Sequence, residues 1–291
     1  MSSGILATKN LNYLYSKGTS SQIHAIRDIN VQIEKGELGG IIGHTGSGKS
    51  TLIQHFNGLL KGTSGVVELE GKDIWADKSK IRNVRFRVGV CFQYPEYQLF
   101  EETVYKDVAF GPKNMKLSEE EIDRRVRESL SFVGLSESYM EKSPFDLSGG
   151  EKRRVAIAGV MAMKPEVLIL DEPCAGLDPK GRETILQMIT DYRNRTGSTV
   201  LVVSHSMEDI SKISSKVLVM NESHLAYYDT VDGVFSHAES LKKMGLNIPQ
   251  LTELFLKLKE KGYDVSTDVY TMEKAESELL VLLKGGDKNA Q

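Results

Sequence analysis

The chain has 291 residues, 40% of them hydrophobic and 26% charged, which is enough for one large domain with or without a small appendage. Its formal net charge of -3 gives no basic excess and excludes nucleic acid as the favoured partner. The two cysteines, Cys91 and Cys174, lie far apart and match no disulfide or metal-binding spacing.

No part of the sequence is apolar over the roughly 18 residues that a membrane-spanning helix needs. The first residues, MSSGILATKN, lack the apolar centre of a secretion signal. We therefore expect a soluble cytoplasmic chain, which would associate with a membrane through a protein partner.

The N-terminal part predicts an antiparallel β unit. ILATKNLNYLY and IHAIRDINVQIE both alternate between apolar and polar residues, and the turn-rich KGTSSQ separates them. LGGIIG is predicted to be a short buried strand, followed by a glycine-rich loop and a helix from Lys49 to about Asn57, which Gly58 ends. The two glycines at 39 and 40 are expected to weaken that strand, because glycine has no side chain to pack.

The middle of the chain predicts a second strand and then a helical region. VGVCFQ has the pattern of a buried strand, and residues from about 97 to 163 are mainly helical in pattern. Ser118 with Glu121 predicts a capping box at the start of one helix, and Gly134 ends it. The apolar face of that helix is predicted to contain Ile122, Val126, Leu130 and Val133.

The later segments complete an α/β fold. EVLILDEP and STVLVVSHS lack polar alternation, as is typical of a parallel sheet covered on both faces. KVLVM and HLAYYD predict a closing hairpin. We predict a mostly parallel core sheet with an antiparallel β subdomain, a helical subdomain and a small C-terminal appendage.

The sequence changes character after about residue 230, so we predict one domain over 1–229 and a small helical unit over 230–291. Its last helix is predicted near 271–283. The segment MGLNIPQLTELFLKLKEKGYDV has the period of an amphipathic helix. Its predicted apolar face contains Leu251, Leu254, Phe255 and Leu258.

GHTGSGKS fits the phosphate-binding pattern G-x-x-x-x-G-K-S, and it follows a strand and opens a helix, as such a loop must. Successive backbone N–H groups there form an anion site, which the helix dipole strengthens. Lys49 is placed to meet the β- and γ-phosphates of a nucleotide, and Ser50 to bind Mg²⁺. The candidate nucleotide-binding residues are Gly43, His44, Thr45, Gly46, Ser47, Gly48, Lys49, Ser50 and Thr51.

Two adjacent acids, Asp171 and Glu172, follow four apolar residues at the end of a predicted central strand. They could be an acidic turn or helix cap, but open α/β sheets bind ligands at this end of their strands. A cation would relieve the repulsion between the two carboxylates. We expect Asp171 to hold Mg²⁺ and Glu172 to position or deprotonate an attacking water.

Gln93 and His205 follow two other predicted strands. Each alone is more often structural, but both fall at the same end of the sheet as Asp171. We expect Gln93 to contact Mg²⁺ or the attacking water, and His205 to contact the γ-phosphate.

The stretch DLSGGEKRR predicts a helix start with a capping box between Ser148 and Glu151. The box does not explain Gly149 and Gly150, because glycine in a helix costs up to about 1 kcal/mol relative to alanine. The absence of side chains predicts that something approaches this helix end closely.

These motifs occur in the order seen in ABC-type ATPases, which the chain resembles over roughly residues 5–230. The resemblance rests on GHTGSGKS, Gln93 after a strand, LSGGE, LILDEP, AGLD and the final Ser-His. It implies two ATPase units that face each other head to tail with ATP and Mg²⁺ between them. Ser148, Gly149 and Gly150 of one unit would then approach the γ-phosphate held by the other.

The family also implies an aromatic residue that stacks on adenine, for which Tyr15 is favoured over Tyr13. Cys174 stands where threonine is common in the family, and this change removes no catalytic group.

A narrower resemblance is to the ATPases of energy-coupling-factor (ECF) importers, closest to the second of their two paired ATPases. It rests on FQYPEYQLFEETVYKDVAFGPKN (92–114) and GLNIPQLTEL (245–254). It implies a second ABC ATPase chain as partner (a heterodimer, with a homodimer chemically possible), a membrane coupling protein and a substrate-binding membrane subunit. The chain would then lie at the cytoplasmic face of the cell membrane. The segment from Glu96 to Glu102 would meet basic helices of the coupling protein, unless it is a solvated helix start.

Three alternatives stay open from the sequence. One is the ATPase of a dedicated cobalt or nickel importer. Another is a non-transport ABC protein, although only 99 positions separate Lys49 from Ser148, too few for the coiled coil of a DNA-repair type. The third, a nucleotide-binding scaffold without hydrolysis, is disfavoured by the presence of Glu172 and His205. No residue here names the transported substrate.

Overall fold

The structure, a computed structural model, describes residues 4–267 and 269–286. Residues 287–291 of the predicted C-terminal unit therefore lie outside the described residues. The strands are β1 (Leu6–Tyr15), β2 (Ile23–Ile33), β3 (Leu38–Gly43), β4 (Ser64–Leu69), β5 (Lys72–Asp73), β6 (Val88–Cys91), β7 (Val167–Asp171), β8 (Thr199–Val203), β9 (Lys216–Asn221) and β10 (His224–Thr230). The helices are α1 (Lys49–Phe56), α2 (Ile81–Arg87), α3 (Val104–Asn114), α4 (Glu119–Phe132), α5 (Gly149–Met161), α6 (Pro179–Thr196), α7 (Met207–Ile213), α8 (Val231–Phe235), α9 (Ala238–Lys243), α10 (Gln250–Glu260) and α11 (Met272–Gly286).

The central sheet has six strands in the order β10-β9-β3-β8-β7-β6. All neighbouring pairs in it are parallel except the hairpin of β9 and β10. Its strands carry apolar side chains on both faces. One face packs against the helices α3 to α8, and the other against α1 and the second sheet. The predicted mostly parallel core sheet and closing hairpin are confirmed.

The glycines of β3 leave space that neighbouring side chains occupy, and the weakening of the strand stays a prediction. A Cβ atom on Gly40 would lie 2.5 Å from Ile210 Cγ2 of α7, and one on Gly39 would lie 2.8 Å from Leu201 Cδ2 of β8. Both distances are shorter than carbon atoms tolerate, so the absent side chains let α7 and β8 pack directly against the strand. The glycines contribute to packing in the centre of the sheet.

A four-stranded antiparallel sheet, in the order β2-β1-β4-β5, covers one face of the core. Its first two strands pair over most of their length, from Leu6 opposite Ile33 to Tyr15 opposite Ile23. The apolar side chains of this sheet pack with α1, where Phe56 is fully buried. The predicted antiparallel subdomain is confirmed, and it holds β2 beside the glycine-rich loop.

The helical region contains α3, α4 and α5, and the predicted inner face of α4 is buried. Ser118 accepts a hydrogen bond from the N–H of Glu121, as predicted. The second half of that capping box does not form among the described residues, because the Glu121 carboxylate pairs with Arg124 at 2.7 Å and with Arg125 at 2.6 Å instead. Gly134 follows the helix in the left-handed conformation, with φ of 69°.

The helices after residue 230 form two groups. α8 and α9 bury apolar side chains in the same core as the parallel sheet, whereas α10 and α11 surround a small cluster centred on Phe255. The prediction for Leu254 is wrong: its side chain is 44% exposed, because it lies at the edge of the buried stripe. The boundary near residue 230 stays a prediction. Within the described ranges, none of the helices combines the length and apolarity needed to cross a membrane.

Candidate functional site

The glycine-rich loop connects the end of β3 to the start of α1. Gly43 and Gly48 are required there, because a Cβ atom on either would lie 2.4 Å from a backbone oxygen, that of Met220 or Ala25. Gly48 also has φ of 105°, which side chains rarely permit. The loop therefore exposes its N–H groups at the N-terminus of a helix, which favours the binding of an anion.

The Lys49 ammonium group lies over this loop. Its Nζ donates hydrogen bonds to the carbonyl oxygens of Gly43 at 2.7 Å and His44 at 3.0 Å. Burial lowers the pKa of Lys49, and the nearby carboxylates of Glu172 and Asp171 oppose that shift. A bound phosphate would offer this buried cation a stronger acceptor than the carbonyl groups.

Asp171 ends β7, and Glu172 follows with a left-handed φ of 52°. The backbone N–H of Glu172 donates to the Val203 oxygen at 2.9 Å, so β8 fixes this unusual conformation. Burial raises the pKa of Asp171, and burial together with the charge of Asp171 raises the pKa of Glu172 to about 7. Two crowded, desolvated carboxyl groups of this kind favour the binding of a cation.

Gln93 and His205 lie beside these acids, each two residues beyond the end of its strand. The predicted strand VGVCFQ is shorter than expected and ends at Cys91. His205 Nε2 is 3.5 Å from Glu172 Oε1, a buried oxygen for which the described residues supply no hydrogen-bond partner. Burial and the charge of Lys49 lower the pKa of His205. The imidazole of His205 and the carboxyl group of Glu172 therefore lie next to each other at the end of the sheet.

These groups line one cleft of about 480 Å³. Tyr15 borders it, with its hydroxyl 3.3 Å from Thr51 Oγ1. Tyr13 does not border it, because its ring packs edge-on against Tyr15 and His55, each 4.8 Å away. The cleft is bordered by Tyr15, Ile23, His24, Ala25, Thr45, Gly46, Gly48, Lys49, Ser50, Thr51, Gln93, Asp171, Glu172 and His205.

Sequence reasoning missed three residues of this cleft, Ile23, His24 and Ala25 of β2. No motif marks them, since their position depends on how the antiparallel sheet packs beside the loop. The arrangement fits a magnesium nucleotide: backbone N–H groups and Lys49 suit phosphates, while the Ser50 hydroxyl and the carboxylates suit Mg²⁺.

Ser148, Gly149 and Gly150 lie outside the cleft, at the start of α5. The predicted capping box is confirmed, with Ser148 and Glu151 each accepting from the other's backbone N–H. A Cβ atom on either glycine would meet nothing within 4 Å in the part of the chain that the structure describes. The chain's own packing therefore does not require glycine at these two positions.

The segment after Gln93 is partly turned inward. Glu96 pairs with Arg153, so it does not belong to the exposed acidic surface that the sequence suggested. Tyr97 is 84% exposed and Phe100 is 57% exposed. The outer surface of this segment is therefore aromatic, followed by the acids Glu101 and Glu102.

Comparisons with known proteins agree with this geometry. Residues 26–175 match the ABC transporter family. The chain is 51% identical over 280 residues to the energy-coupling factor transporter ATP-binding protein EcfA2 of Clostridium perfringens, covering 96% of this chain and 98% of that protein. It is 46% identical over 278 residues to EcfA2 of Lactobacillus johnsonii, covering 95% and 96%.

Two solved structures are similar to most of the chain. The first is cbiO1 of Clostridium perfringens, described as part of the ABC transporter complex cbiONQ. It has a TM-score of 0.74 and 41% identity, covering 87% of this chain and 98% of that one. The second is a dimeric ATP-binding cassette in a post-hydrolysis state with ADP and Pi, with a TM-score of 0.69 and 28% identity, covering 78% and 98%. These similarities agree with the glycine-rich loop, the paired acids and the signature turn, by which we mean Ser148–Gly150. Together they show that the chain belongs to the ABC transporter family of ATPases, among the ATP-binding proteins of energy-coupling factor transporters.

Proposed function

We propose that this chain binds Mg-ATP as one half of an ATPase dimer and couples hydrolysis to the uptake of a vitamin or another micronutrient. The observation that carries the proposal is the cleft in which Lys49, Asp171 and Glu172 meet the glycine-rich loop. The chain's 51% identity to an EcfA2 protein favours an ECF importer over the alternatives.

Each group of the cleft has a proposed role. The loop from Gly43 to Thr51 holds the phosphates, with Lys49 on the β- and γ-phosphates. Mg²⁺ is held by Ser50, Asp171 and Gln93. Glu172 orients or deprotonates the attacking water, and His205 contacts the γ-phosphate. Tyr15 stacks on the adenine, since it is the tyrosine that borders the cleft.

The site is completed by a second ABC ATPase chain. The signature turn Ser148–Gly150 is exposed and outside its own cleft, so it serves the nucleotide of the opposite chain. Its N–H groups and the dipole of α5 would bind the γ-phosphate, and the bare glycines allow the backbone to approach. The similarity to a dimeric cassette supports this arrangement. A different but related chain is the favoured partner, as in the ECF family.

The helix α11 carries exposed apolar residues. Met272, Val281 and Leu283 are each at least 70% exposed. We propose that this face helps to hold the dimer together when nucleotide leaves.

The membrane coupling protein docks in a groove of about 510 Å³ between α2, α3 and α5. Phe100 and Phe110 form an edge-to-face pair at its rim, with ring centres 5.0 Å apart. Asp107 lies in the groove and accepts the N–H groups of Phe100 at 3.3 Å and Glu101 at 3.2 Å. The groove is lined by aromatic residues, by Asp107 and by Arg82 and Arg85 of α2, which suits the apolar face of an amphipathic helix. Glu101 and Glu102, next to Phe100 in the sequence, suit basic residues on such a helix. A substrate-binding membrane subunit would join the complex through this coupling protein, at the cytoplasmic face of the membrane.

Reversing the charges of Glu101 and Glu102 to lysine is expected to weaken assembly with the membrane coupling protein. Both acids directly follow Phe100, which lines the groove, and neither is buried, so the chain should still fold. The measurement is the amount of coupling protein that co-purifies with the variant, together with ATP-dependent uptake by the reconstituted complex.

The matched control is reversal of Glu119 and Glu120, two exposed acids at the start of α4, which changes the net charge equally. The control should assemble and transport normally. Normal assembly and uptake by the Glu101 and Glu102 variant would show that this segment is not the docking surface.

The proposed function itself is tested by reconstituting the chain with its candidate membrane partners in vesicles. Uptake should require Mg-ATP on the side where this chain lies. A complex that accumulates the ligand equally well without ATP would contradict the proposal.

A further inference from the structure

Arg153 of α5 is a buried guanidinium group that joins three segments near the nucleotide site. Its side chain is 5% exposed. Nε and Nη2 donate to the two Glu96 carboxylate oxygens at 3.1 and 2.8 Å, and Nη1 donates to the oxygens of Pro173 at 3.3 Å and Ala175 at 2.5 Å. The planar guanidinium group therefore donates four hydrogen bonds to two separate loops.

Each of these loops follows a residue of the proposed reaction. Glu96 lies in the turn Pro95–Gln98, directly after Gln93. Pro173 and Ala175 lie in the loop directly after Glu172. The helix that carries Arg153 begins at the Ser148 cap, which does not line this chain's own cleft.

The hydrogen bonds between Arg153 and Glu96 are charge-assisted and therefore strong. A bidentate pair between a guanidinium and a carboxylate fixes both position and orientation. Burial raises the pKa of Glu96, but the hydrogen bonds and the charge of Arg153, together with a backbone hydrogen bond, hold that pKa below its usual range. Removing the guanidinium would leave a mostly buried carboxylate and two carbonyl oxygens without these donors.

We infer that Arg153 is a positioning residue that fixes the distance between the Gln93 and Glu172 loops and the signature turn of α5. In the dimer, those loops serve this chain's nucleotide, whereas the signature turn serves the partner's nucleotide. The Arg153 guanidinium thus connects segments of both nucleotide sites. The two sites therefore reach the geometry of the closed dimer at the same time. This inference rests on the proposed function, in which residues of both chains form each nucleotide site.

The test compares Arg153→Met and Arg153→Lys with the unaltered protein in the assembled ATPase. Methionine keeps much of the side-chain volume but donates no hydrogen bond. We expect kcat to fall at least about tenfold in Arg153→Met with KM for ATP within about twofold, because misplacement by about 1 Å can reduce rates a hundredfold. Arg153→Lys should recover part of kcat, since it keeps a donor and the charge.

The second arm is a double-mutant cycle with Glu96→Gln. The combined loss in kcat should be smaller than the product of the two single losses, because both changes break one unit. The matched control is Arg127→Met on α4, an arginine that also pairs with two acids, Asp123 and Glu137, but touches neither loop. Its kcat should match that of the unaltered protein. If Arg153→Met does not fold, Arg153→Lys and Glu96→Gln carry the test.

Kinetic constants within twofold of the unaltered protein, or a rise in KM at constant kcat, would overturn the inference. A fall in kcat that only matches a loss of folded protein would overturn it as well. These results leave the proposed function intact as long as the unaltered complex hydrolyses ATP. If the unaltered complex does not hydrolyse ATP, the proposed function fails first.

Discussion

Replacing Glu172 by glutamine is expected to slow ATP hydrolysis by about 10²–10⁴-fold while leaving ATP binding intact, the usual contribution of a positioned general base. Glutamine keeps the shape of the side chain but cannot accept a proton from water. The reason for choosing Glu172 is its geometry: Oε1 is buried without a hydrogen-bond partner among the described residues, 3.5 Å from His205 Nε2. A water molecule beside Glu172 would donate a hydrogen bond to Oε1.

The measurement is single-turnover hydrolysis in the assembled complex, alongside equilibrium binding of ATP. The matched control is Glu183→Gln, the same chemical change at an exposed position on α6, which should leave turnover unaltered. Lys49→Ala should behave in the opposite way and weaken nucleotide binding itself. Near-normal turnover by Glu172→Gln would remove Glu172 from its assigned role.

Replacing Gly149 by aspartate is expected to stop ATP hydrolysis almost completely without destabilising the isolated chain. The position is the first residue of α5, where an acid interacts favourably with the helix dipole, by about 0.3–1 kcal/mol. Among the residues that the structure describes, no atom lies within 4 Å of a Cβ atom placed there. In the dimer, however, the new carboxylate would face the γ-phosphate of the opposite nucleotide and repel it. We expect a rate loss of about 100-fold, as for removal of one donor to a developing charge.

Thermal unfolding of the isolated chain and ATPase activity of the complex measure the two effects separately. Gly149→Ala is the matched control, because it removes the glycine without adding charge or much bulk. It should unfold at the same or a higher temperature and lose less activity than the aspartate variant. If Gly149→Asp hydrolyses ATP normally, the signature turn does not meet a nucleotide.

The phosphate-binding part of the site could be predicted because its residues are contiguous and its chemistry fixes their types. Lys49 must follow the glycine loop, and the acids must end a strand, so a local pattern is enough. The β2 side of the cleft could not be predicted, because Ile23 and His24 reach it only through the packing of one sheet beside another.

The errors have a similar origin. Glu96 belongs to an acidic stretch, and nothing in that stretch shows that a buried Arg153, 57 residues later, turns it inward. The packing role of Gly40 could not be predicted either, because the neighbour that needs the space, Ile210, is distant in sequence. Leu254 fits the helical period but lies at the margin of the buried face of α10. How many residues that face contains depends on the elements packed against it. Patterns within one element predict its type, whereas contacts between elements decide what each side chain does.

The central claim is that one chain carries two half-sites and that ATP joins two chains. The most direct measurement is the mass of the Glu172→Gln protein by light scattering, with and without Mg-ATP, alone and mixed with a candidate partner ATPase. We expect the variant to bind ATP but to hydrolyse it slowly, so the closed state should accumulate. We predict that Mg-ATP doubles the mass, most completely with the partner present. A chain that stays monomeric under all these conditions, while the unaltered monomer hydrolyses ATP at the full rate, would contradict the account.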